Sequence, residues 1–153
     1  MVDGERLTLW ELPDPNLATY TPTVVEHRPQ VFSALDTVAS DDFDPKVIAV
    51  TQDSIDGPLV AAERTSLTYS GEDLHLTATS QGHSLIVVPL EYSHCVELDA
   101  GPRPSTASIH RVDGILTGVL FERELDATLS FRTGPLRNPT CRFKDYLDFK
   151  DGK

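Results

Sequence analysis

Residues 74–96 read LHLTATSQGHSLIVVPLEYSHCV, and this stretch decides the fold class. From Leu74 to Thr79, apolar and polar side chains alternate, which is the period-two pattern of a half-buried strand. From Leu85 to Leu90, the chain is apolar on both faces and rich in β-branched residues, so it predicts a strand that is covered on both sides. The polar residues around Gly82 predict a turn between the two. The stretch therefore indicates two core strands.

Most of the remaining chain also has the character of strands. Short turn signals separate the other segments, which predict strands at residues 6–12, 19–26, 46–51, 64–69, 105–112, 115–121 and 125–132. One apolar stripe at helical spacing, formed by Val31, Ala34, Leu35 and Val38, predicts a single short helix near residues 30–39. We therefore predict an all-β fold, mainly an antiparallel β-sandwich of jelly-roll type with about nine strands, rather than any βαβ scheme.

The connections between these segments carry recognisable turn chemistry. Residues 70–73 have the length of a hairpin connection, and Asp113-Gly114 is the signal for a two-residue type I′ turn. The breaks at Gly134-Pro135 and Asn138-Pro139 leave residues 141–146, which we predict to be a short terminal extension.

Length and charge indicate the number of domains and the classes of ligand that the protein could bind. A chain of 153 residues predicts one domain, spanning residues 1–153. The net charge of −11 argues against general nucleic-acid binding, which needs a basic face. The charge is uneven: residues 1–100 hold 17 acidic and 4 basic residues, whereas residues 101–153 hold 7 and 9. A solvated acidic face accounts for this pattern, and an anion site near Arg132, Arg137 and Arg142 is the alternative.

Targeting signals and cysteines bear on the compartment. No window approaches the roughly 18 apolar residues of a membrane helix, and the acidic, polar start is unlike a signal peptide. We therefore expect either a cytosolic protein or a piece of a larger one. Cys95 and Cys141 permit one disulfide, but two free thiols in a reducing compartment fit the sequence equally well.

Motifs for catalysis are not found in the sequence. It has no Gly-x-Ser-x-Gly elbow, no phosphate-binding glycine loop and no histidine pair with metal-ligand spacing, so we predict no catalytic residue, no cofactor and no metal. Trp10 and Tyr92 are candidates for stacking on sugars, with core burial as the alternative. His94, beside Cys95, is a further candidate for ligand binding.

The loop formed by Arg137 and Asn138 is the last candidate for ligand binding. These residues could bind an anion, although an Arg among prolines and glycines is also an ordinary loop residue. The 24 acidic residues leave paired carboxylates possible in principle, but sequence spacing does not show which of them converge.

Several segments resemble the extracytoplasmic C-terminal region of the YfhO-like family, polytopic bacterial membrane proteins related to glycosyltransferases. They are Leu7–Asp14, Phe43–Pro45 after the short helix, the hydrophobic strand Leu85–Tyr92, and the strand pair at Arg111–Val119. The chain departs from the family at Ser93–Val96, where the family commonly has Pro-Gly-Trp after the tyrosine-containing turn.

The resemblance implies a non-catalytic accessory module that contacts a glycan, a lipid-linked sugar or a neighbouring membrane-embedded domain. Its location would be periplasmic or extracellular if the chain is part of a larger membrane protein, and cytoplasmic if the chain is complete. An independent carbohydrate-active enzyme and a purely structural assembly protein are the alternative interpretations.

Overall fold

A computed structural model describes residues 13–101, 106–132, 138 and 140–151. Within this part of the chain, the order of elements is strand, helix, six strands and a second helix. Their bounds are β1 Val24–His27, α1 Val31–Val38, β2 Ile48–Thr51, β3 Arg64–Ser70, β4 Asp73–Glu91, β5 Val96–Asp99, β6 Ser108–Val112, β7 Leu116–Phe131 and α2 Cys141–Asp151. The predicted helix near residues 30–39 is confirmed as α1, and the predicted strand at residues 6–12 lies outside the described residues.

The described strands are joined by hydrogen bonds into one mixed sheet. Its order is β1-β2-β6-β7-β4-β3, and β5 also pairs with β7. The prediction of a mostly β protein is confirmed, whereas the two-sheet sandwich and the jelly roll are not. The described residues contain seven strands against the nine or so predicted: two pairs of predicted strands are each one long strand, the strand predicted at residues 6–12 lies outside the described residues, and β5 was not predicted.

The preference for antiparallel strands over any βαβ scheme was wrong for one strand pair. Strands β1 and β2 are parallel, with Val24 opposite Ile48 and His27 opposite Thr51, and α1 connects them. A parallel pair needs such a crossover. Periodicity identified each element but does not encode which strands pair, and four-residue strands carry little pattern.

The largest correction concerns the stretch that decides the fold. The turn predicted around Gly82 does not exist, because β4 runs unbroken over 19 residues. Strand β7 pairs with both halves of β4, and the register shifts between Thr79 and His83, as at a β-bulge. Within the bulge, the hydroxyls of Ser80 and Ser84 are 2.5 Å apart, and Ser84 also donates to the carbonyl of Val60. Side-chain hydroxyls thus supply hydrogen bonds where the ladder is interrupted.

Strand β7 has a matching irregularity. The two strands predicted at residues 115–121 and 125–132 are one strand of 16 residues. Arg123 lies within it at φ 62°, in the left-handed region that a non-glycine residue rarely adopts. This position faces the bulge of β4, since Glu122 pairs with His83 and Glu124 with Thr79. The long β4–β7 ribbon is therefore irregular on both strands at the same place.

The main core lies on one face of this ribbon and draws on both of its halves. Alternate residues on either side of the irregularity belong to one apolar cluster, whose members include Leu74, Leu76, Ile86, Val88, Val119, Phe121, Leu125 and Leu129. Side chains from both halves of the ribbon therefore meet in one cluster. A smaller cluster on the opposite face includes Ala49, Leu59, Leu85, Val87, Val112 and Leu120.

The turn between β6 and β7 differs from the two-residue prediction. Val112 pairs with Leu116, so the connection has three residues, although Asp113 and Gly114 do have the positive φ angles of 53° and 80°. Asp113 is 5% exposed and exchanges hydrogen bonds with Val50 of β2: its Oδ1 accepts from the Val50 N–H, and its own N–H donates to the Val50 carbonyl. The turn is thus fixed against β2.

The second helix was missed in the sequence. Residues 141–146, predicted to be an extension, form the beginning of α2, which continues to Asp151. Its inward residues are Cys141, Asp145 and Asp148, which have helical i, i+4, i+7 spacing, but two of the three are carboxylates. A search for apolar stripes does not find such a helix.

Candidate functional site

An open groove lies on the polar face of strands β3, β4 and β7. Leu76, Ala78, Leu125 and Ala127 face the core, so the residues that alternate with them face away from it. The groove has a volume of about 1070 Å³. Its lining consists mostly of hydroxyl-bearing and charged residues, namely Arg64, Thr65, Ser66, Thr77, Thr79, Thr106, Glu122, Arg123, Glu124 and Asp126, together with Ala78, Ala100, Gly101 and Leu125.

Strand pairing arranges these side chains in rows. Thr79 lies between Arg64 and Glu124, and the next row on the same face has Thr77 between Ser66 and Asp126. Each row therefore places a hydroxyl of the central strand between polar groups of its two neighbours. Cross-strand neighbours lie about 5 Å apart, which is a spacing that several hydroxyl groups of one ligand can match.

The electrostatics of the groove are mixed. Three carboxylates, those of Glu122, Glu124 and Asp126, share it with the guanidinium groups of Arg64 and Arg123. Carboxylates accept hydrogen bonds, guanidinium groups donate them, and threonine hydroxyls do both. The lining is thus suited to a neutral, hydroxyl-rich ligand better than to a strongly charged one.

The strained residue of β7 belongs to this lining. Arg123 is exposed and has a left-handed backbone, which costs a non-glycine residue about 1 kcal/mol or more. Strain of this kind is found preferentially at ligand sites, where the surrounding structure imposes it.

Asp126, which lines the groove, contacts His75, which lies outside the lining. The Nε2 of His75 is 2.9 Å from Oδ1 of Asp126, and the side chains are 44% and 78% exposed. This contact leaves Asp126 largely open to solvent.

Three of the residues that we predicted from the sequence for ligand binding, Tyr92, His94 and Asn138, lie elsewhere, where β4 ends and α2 packs. Asp145 of α2 accepts hydrogen bonds from the Ser93 hydroxyl at 2.7 Å and from the His94 N–H at 2.8 Å. Asn138 donates from Nδ2 to the His94 carbonyl at 3.1 Å. The turn at residues 92–95 is therefore bound along its backbone as well as its side chains.

A second carboxylate completes this junction. Oδ2 of Asp148 lies 2.9 Å from Nη2 of Arg111 and 2.8 Å from Nε2 of His94. The Arg111 guanidinium also lies over the Tyr92 ring, 4.6 Å from its centroid. Burial raises the pKa of Tyr92, although the nearby Arg111 charge opposes that shift. We name this set, together with Cys95 and Cys141, the α2 clamp: Tyr92, Ser93, His94, Arg111, Asn138, Asp145 and Asp148.

A covalent link lies within the clamp. Cys95 and Cys141, the pair that the sequence left open, form a disulfide with Cα atoms 5.0 Å apart. Both cysteines are buried, and Cys141 is the first residue of α2. The clamp therefore holds the first turn of α2 covalently and the following turns by its carboxylates.

The clamp does not have the arrangement of a nucleophilic site. The Ser93 hydroxyl contacts Asp145 rather than His94, and His94 contacts Asp148. The groups bind one another, as expected for a structural junction. Ligand binding by Tyr92, His94 and Asn138 stays a prediction, while Trp10 and Arg137 lie outside the described residues.

One further set of side chains resembles a hydrolase triad in its order. The Ser108 hydroxyl lies 2.8 Å from Nε2 of His110, and Nδ1 of His110 lies 3.6 Å from Oδ2 of Asp53. The second distance exceeds a hydrogen bond. In the described part of the chain, no cluster of three or more His, Cys, Asp or Glu side chains could hold a metal ion.

None of the groove residues was predicted from the sequence to belong to a site. The polar alternation in β4 and in residues 125–132 was visible, but their adjacency depends on the β4–β7 pairing. Of the three arginines of the alternative anion site, Arg132 has its Nη2 3.1 Å from the Ser130 hydroxyl and 3.8 Å from Asp73 Oδ1, and Arg137 lies outside the described residues, so that site stays a prediction.

Comparison with known proteins finds no family model, no curated protein and no solved structure that matches the chain. Among the described residues, neither helix has the length and apolar character needed to cross a membrane.

Proposed function

We propose that this chain is a non-catalytic binding module whose groove takes the sugar units of a glycan. The observation that carries the proposal is the polar groove across β3, β4 and β7, in which hydroxyl, carboxylate and guanidinium groups stand in ordered rows. A sugar presents hydroxyl groups that both donate and accept hydrogen bonds, so it can use all three kinds of partner.

The construction of the groove supports binding rather than chemistry. Its floor is the face of a hydrogen-bonded sheet, so the positions of Ser66, Thr77 and Asp126 are fixed before a ligand arrives. A preorganised site loses little conformational entropy on binding. The groove is also open, which suits a chain of sugar units that extends beyond it.

The wider context of the module is part of the proposal. Resemblance to the YfhO-like family supports an extracytoplasmic accessory module of a membrane glycosyltransferase-like protein, with a glycan, a lipid-linked sugar or a neighbouring domain as its partner. The Cys95–Cys141 disulfide is in keeping with an oxidising compartment.

A carbohydrate-active enzyme is the second candidate. Three carboxylates, those of Glu122, Glu124 and Asp126, share the groove, and glycoside hydrolysis uses such a pair. Under this alternative, purified protein would release reducing ends from a bound glycan, and an isosteric substitution of a groove carboxylate would abolish the release.

Calorimetry or saturation-transfer NMR with a saccharide panel tests the proposal. Thr77→Val removes a hydroxyl from the floor of the groove and retains the shape and strand preference of the side chain, so binding should weaken about three- to tenfold, the value of one hydrogen bond. Thr68→Val is the matched control, because Thr68 is an exposed strand residue outside the lining. If no saccharide binds, or if both variants bind as wild type does, the proposal is wrong.

A further inference from the structure

One face of α2 packs against the rest of the protein, and the other is exposed to solvent. Its inward face contacts the rest of the protein through the Cys141 disulfide and through the carboxylates of Asp145 and Asp148. Its outward face carries large apolar side chains. These are Phe143, 60% exposed, Tyr146, 58%, Leu147, 37%, and Phe149, 84%. Three aromatic rings on one short helix are thus left in contact with solvent.

The charged side chains of α2 also differ between its two faces. Asp145 and Asp148 point inward and are taken up by the clamp, whereas Arg142, Lys144 and Lys150 are exposed. Apart from Asp151, which ends the helix, the exposed charged side chains of α2 are therefore all basic. The chain as a whole has a net charge of −11, so this basic aromatic face differs in sign from the protein that carries it.

The clamp also preorganises this face. A helix of 11 residues is marginal on its own in water, because isolated helices shorter than about 12 to 15 residues are barely stable. The disulfide and the inward carboxylates hold α2 from the opposite side, so its outward residues are presented in a fixed arrangement. A surface that meets this face does not have to supply the free energy of folding the helix.

We propose that the outward face of α2 docks the protein onto a lipid bilayer surface that contains anionic phospholipid. Aromatic side chains favour the boundary between headgroups and acyl chains, and the stems of Lys and Arg can lie along apolar surface while their charges reach phosphate. The acidic remainder of the protein is repelled by the same surface, which orients the contact through α2. This inference uses residues that the groove does not, so it stands independently of glycan binding.

Flotation of the intact, oxidised protein with vesicles tests the inference. We expect binding to vesicles of mixed phosphatidylglycerol and phosphatidylcholine, weaker binding to phosphatidylcholine alone, and a loss of binding as salt screens the basic residues. F143A/F149A should weaken binding roughly tenfold or more, since two exposed rings are removed. F32A is the matched control, because Phe32 is a 70% exposed aromatic of the other helix, and it should change binding less than about twofold.

A second variant tests the contribution of the basic side chains separately from that of the aromatic rings. R142E/K150E leaves the rings in place and should abolish the preference for anionic vesicles. Far-UV circular dichroism and the intact-protein mass establish that each variant keeps its helix and its disulfide.

Three results would overturn the inference. They are a wild-type protein that does not float with anionic vesicles, variants that float as wild type does, and a loss of binding in F32A equal to that in F143A/F149A. Light scattering identifies a fourth result that would overturn the inference. If the wild-type protein is a dimer that does not bind vesicles, and if F143A/F149A is a monomer, then a second copy of the chain covers the outward face of α2.

Discussion

Replacing the buried carboxyl of Asp113 by an amide should make this protein more stable at neutral pH. Asp113 is 5% exposed, and burial raises its pKa from 3.8 to about 6, although the hydrogen bond from the Val50 N–H opposes that shift. The folded state therefore binds a proton more tightly than the unfolded state does. Between pH 3.8 and about 6, the contribution of Asp113 to stability falls as the pH rises.

The size of the effect follows from the difference between the two pKa values. A difference of about 2 pKa units corresponds to about 3 kcal/mol, which is the destabilisation by ionised Asp113 at pH 7. At pH 4, the folded state is almost fully protonated while the unfolded state is a little more than half ionised, and the same linkage gives about 0.5 kcal/mol. Asn keeps an oxygen that can accept from the Val50 N–H and tolerates the φ of 53°, so Asp113→Asn removes the charge with little other change.

Urea unfolding followed by far-UV circular dichroism, with the disulfide intact, measures this difference. The variant should exceed wild type by about 0.5 kcal/mol near pH 4 and by about 3 kcal/mol near pH 7. Asp113→Ala is the control, since it loses the acceptor and should be less stable than Asp113→Asn by about 1 to 3 kcal/mol. A difference between Asp113→Asn and wild type that does not change with pH would refute the reasoning.

Three further predictions concern the clamp and the strained strand. Replacing both Cys95 and Cys141 by Ala should lower the free energy of unfolding by about 3 to 4 kcal/mol, because the disulfide closes a loop with a separation of 46 residues; an unchanged urea midpoint would contradict this. Asp145→Ala removes the acceptor of two hydrogen bonds and should destabilise by about 2 to 3 kcal/mol in the same assay. Arg123→Gly should stabilise by about 1 kcal/mol by relieving its φ of 62°, yet weaken saccharide binding. Ala18→Gly, at the same φ outside the groove, should leave binding unchanged, although the loss of its buried methyl group offsets the relief of strain. Equal binding by the two glycine variants would argue against a role for Arg123.

The sequence predicted the strands better than their connections. Alternation in Leu74–Thr79 and the apolar run at Leu85–Leu90 identified strand residues correctly, but a polar segment with Gly82 is compatible with either a turn or a bulge. The long-range pairing of β4 with β7 selects the bulge, and Gly82 does not adopt a positive φ. Local patterns therefore cannot decide between the two.

Helix α2 and the groove could not be predicted from the sequence, because both depend on contacts between distant parts of the chain. The inward residues of α2 are polar because Asp145 and Asp148 bind His94 and Arg111 across more than 30 residues of sequence. The groove likewise requires two strands, about 50 residues apart in the chain, to lie side by side. Tyr92, His94 and Cys95 were recognised as a distinctive cluster, but its partner on α2 had no apolar pattern to reveal it.

Binding of a saccharide in the groove is the central claim, and amide chemical-shift mapping tests it most directly. Titration of ¹⁵N-labelled protein with the best saccharide of the panel should shift the resonances of residues 64–66, 77–79 and 122–126, which line the groove. Residues 92–95 in the clamp should be unaffected. Shifts confined to the clamp or to α2, or no shifts at saturating saccharide, would contradict the account.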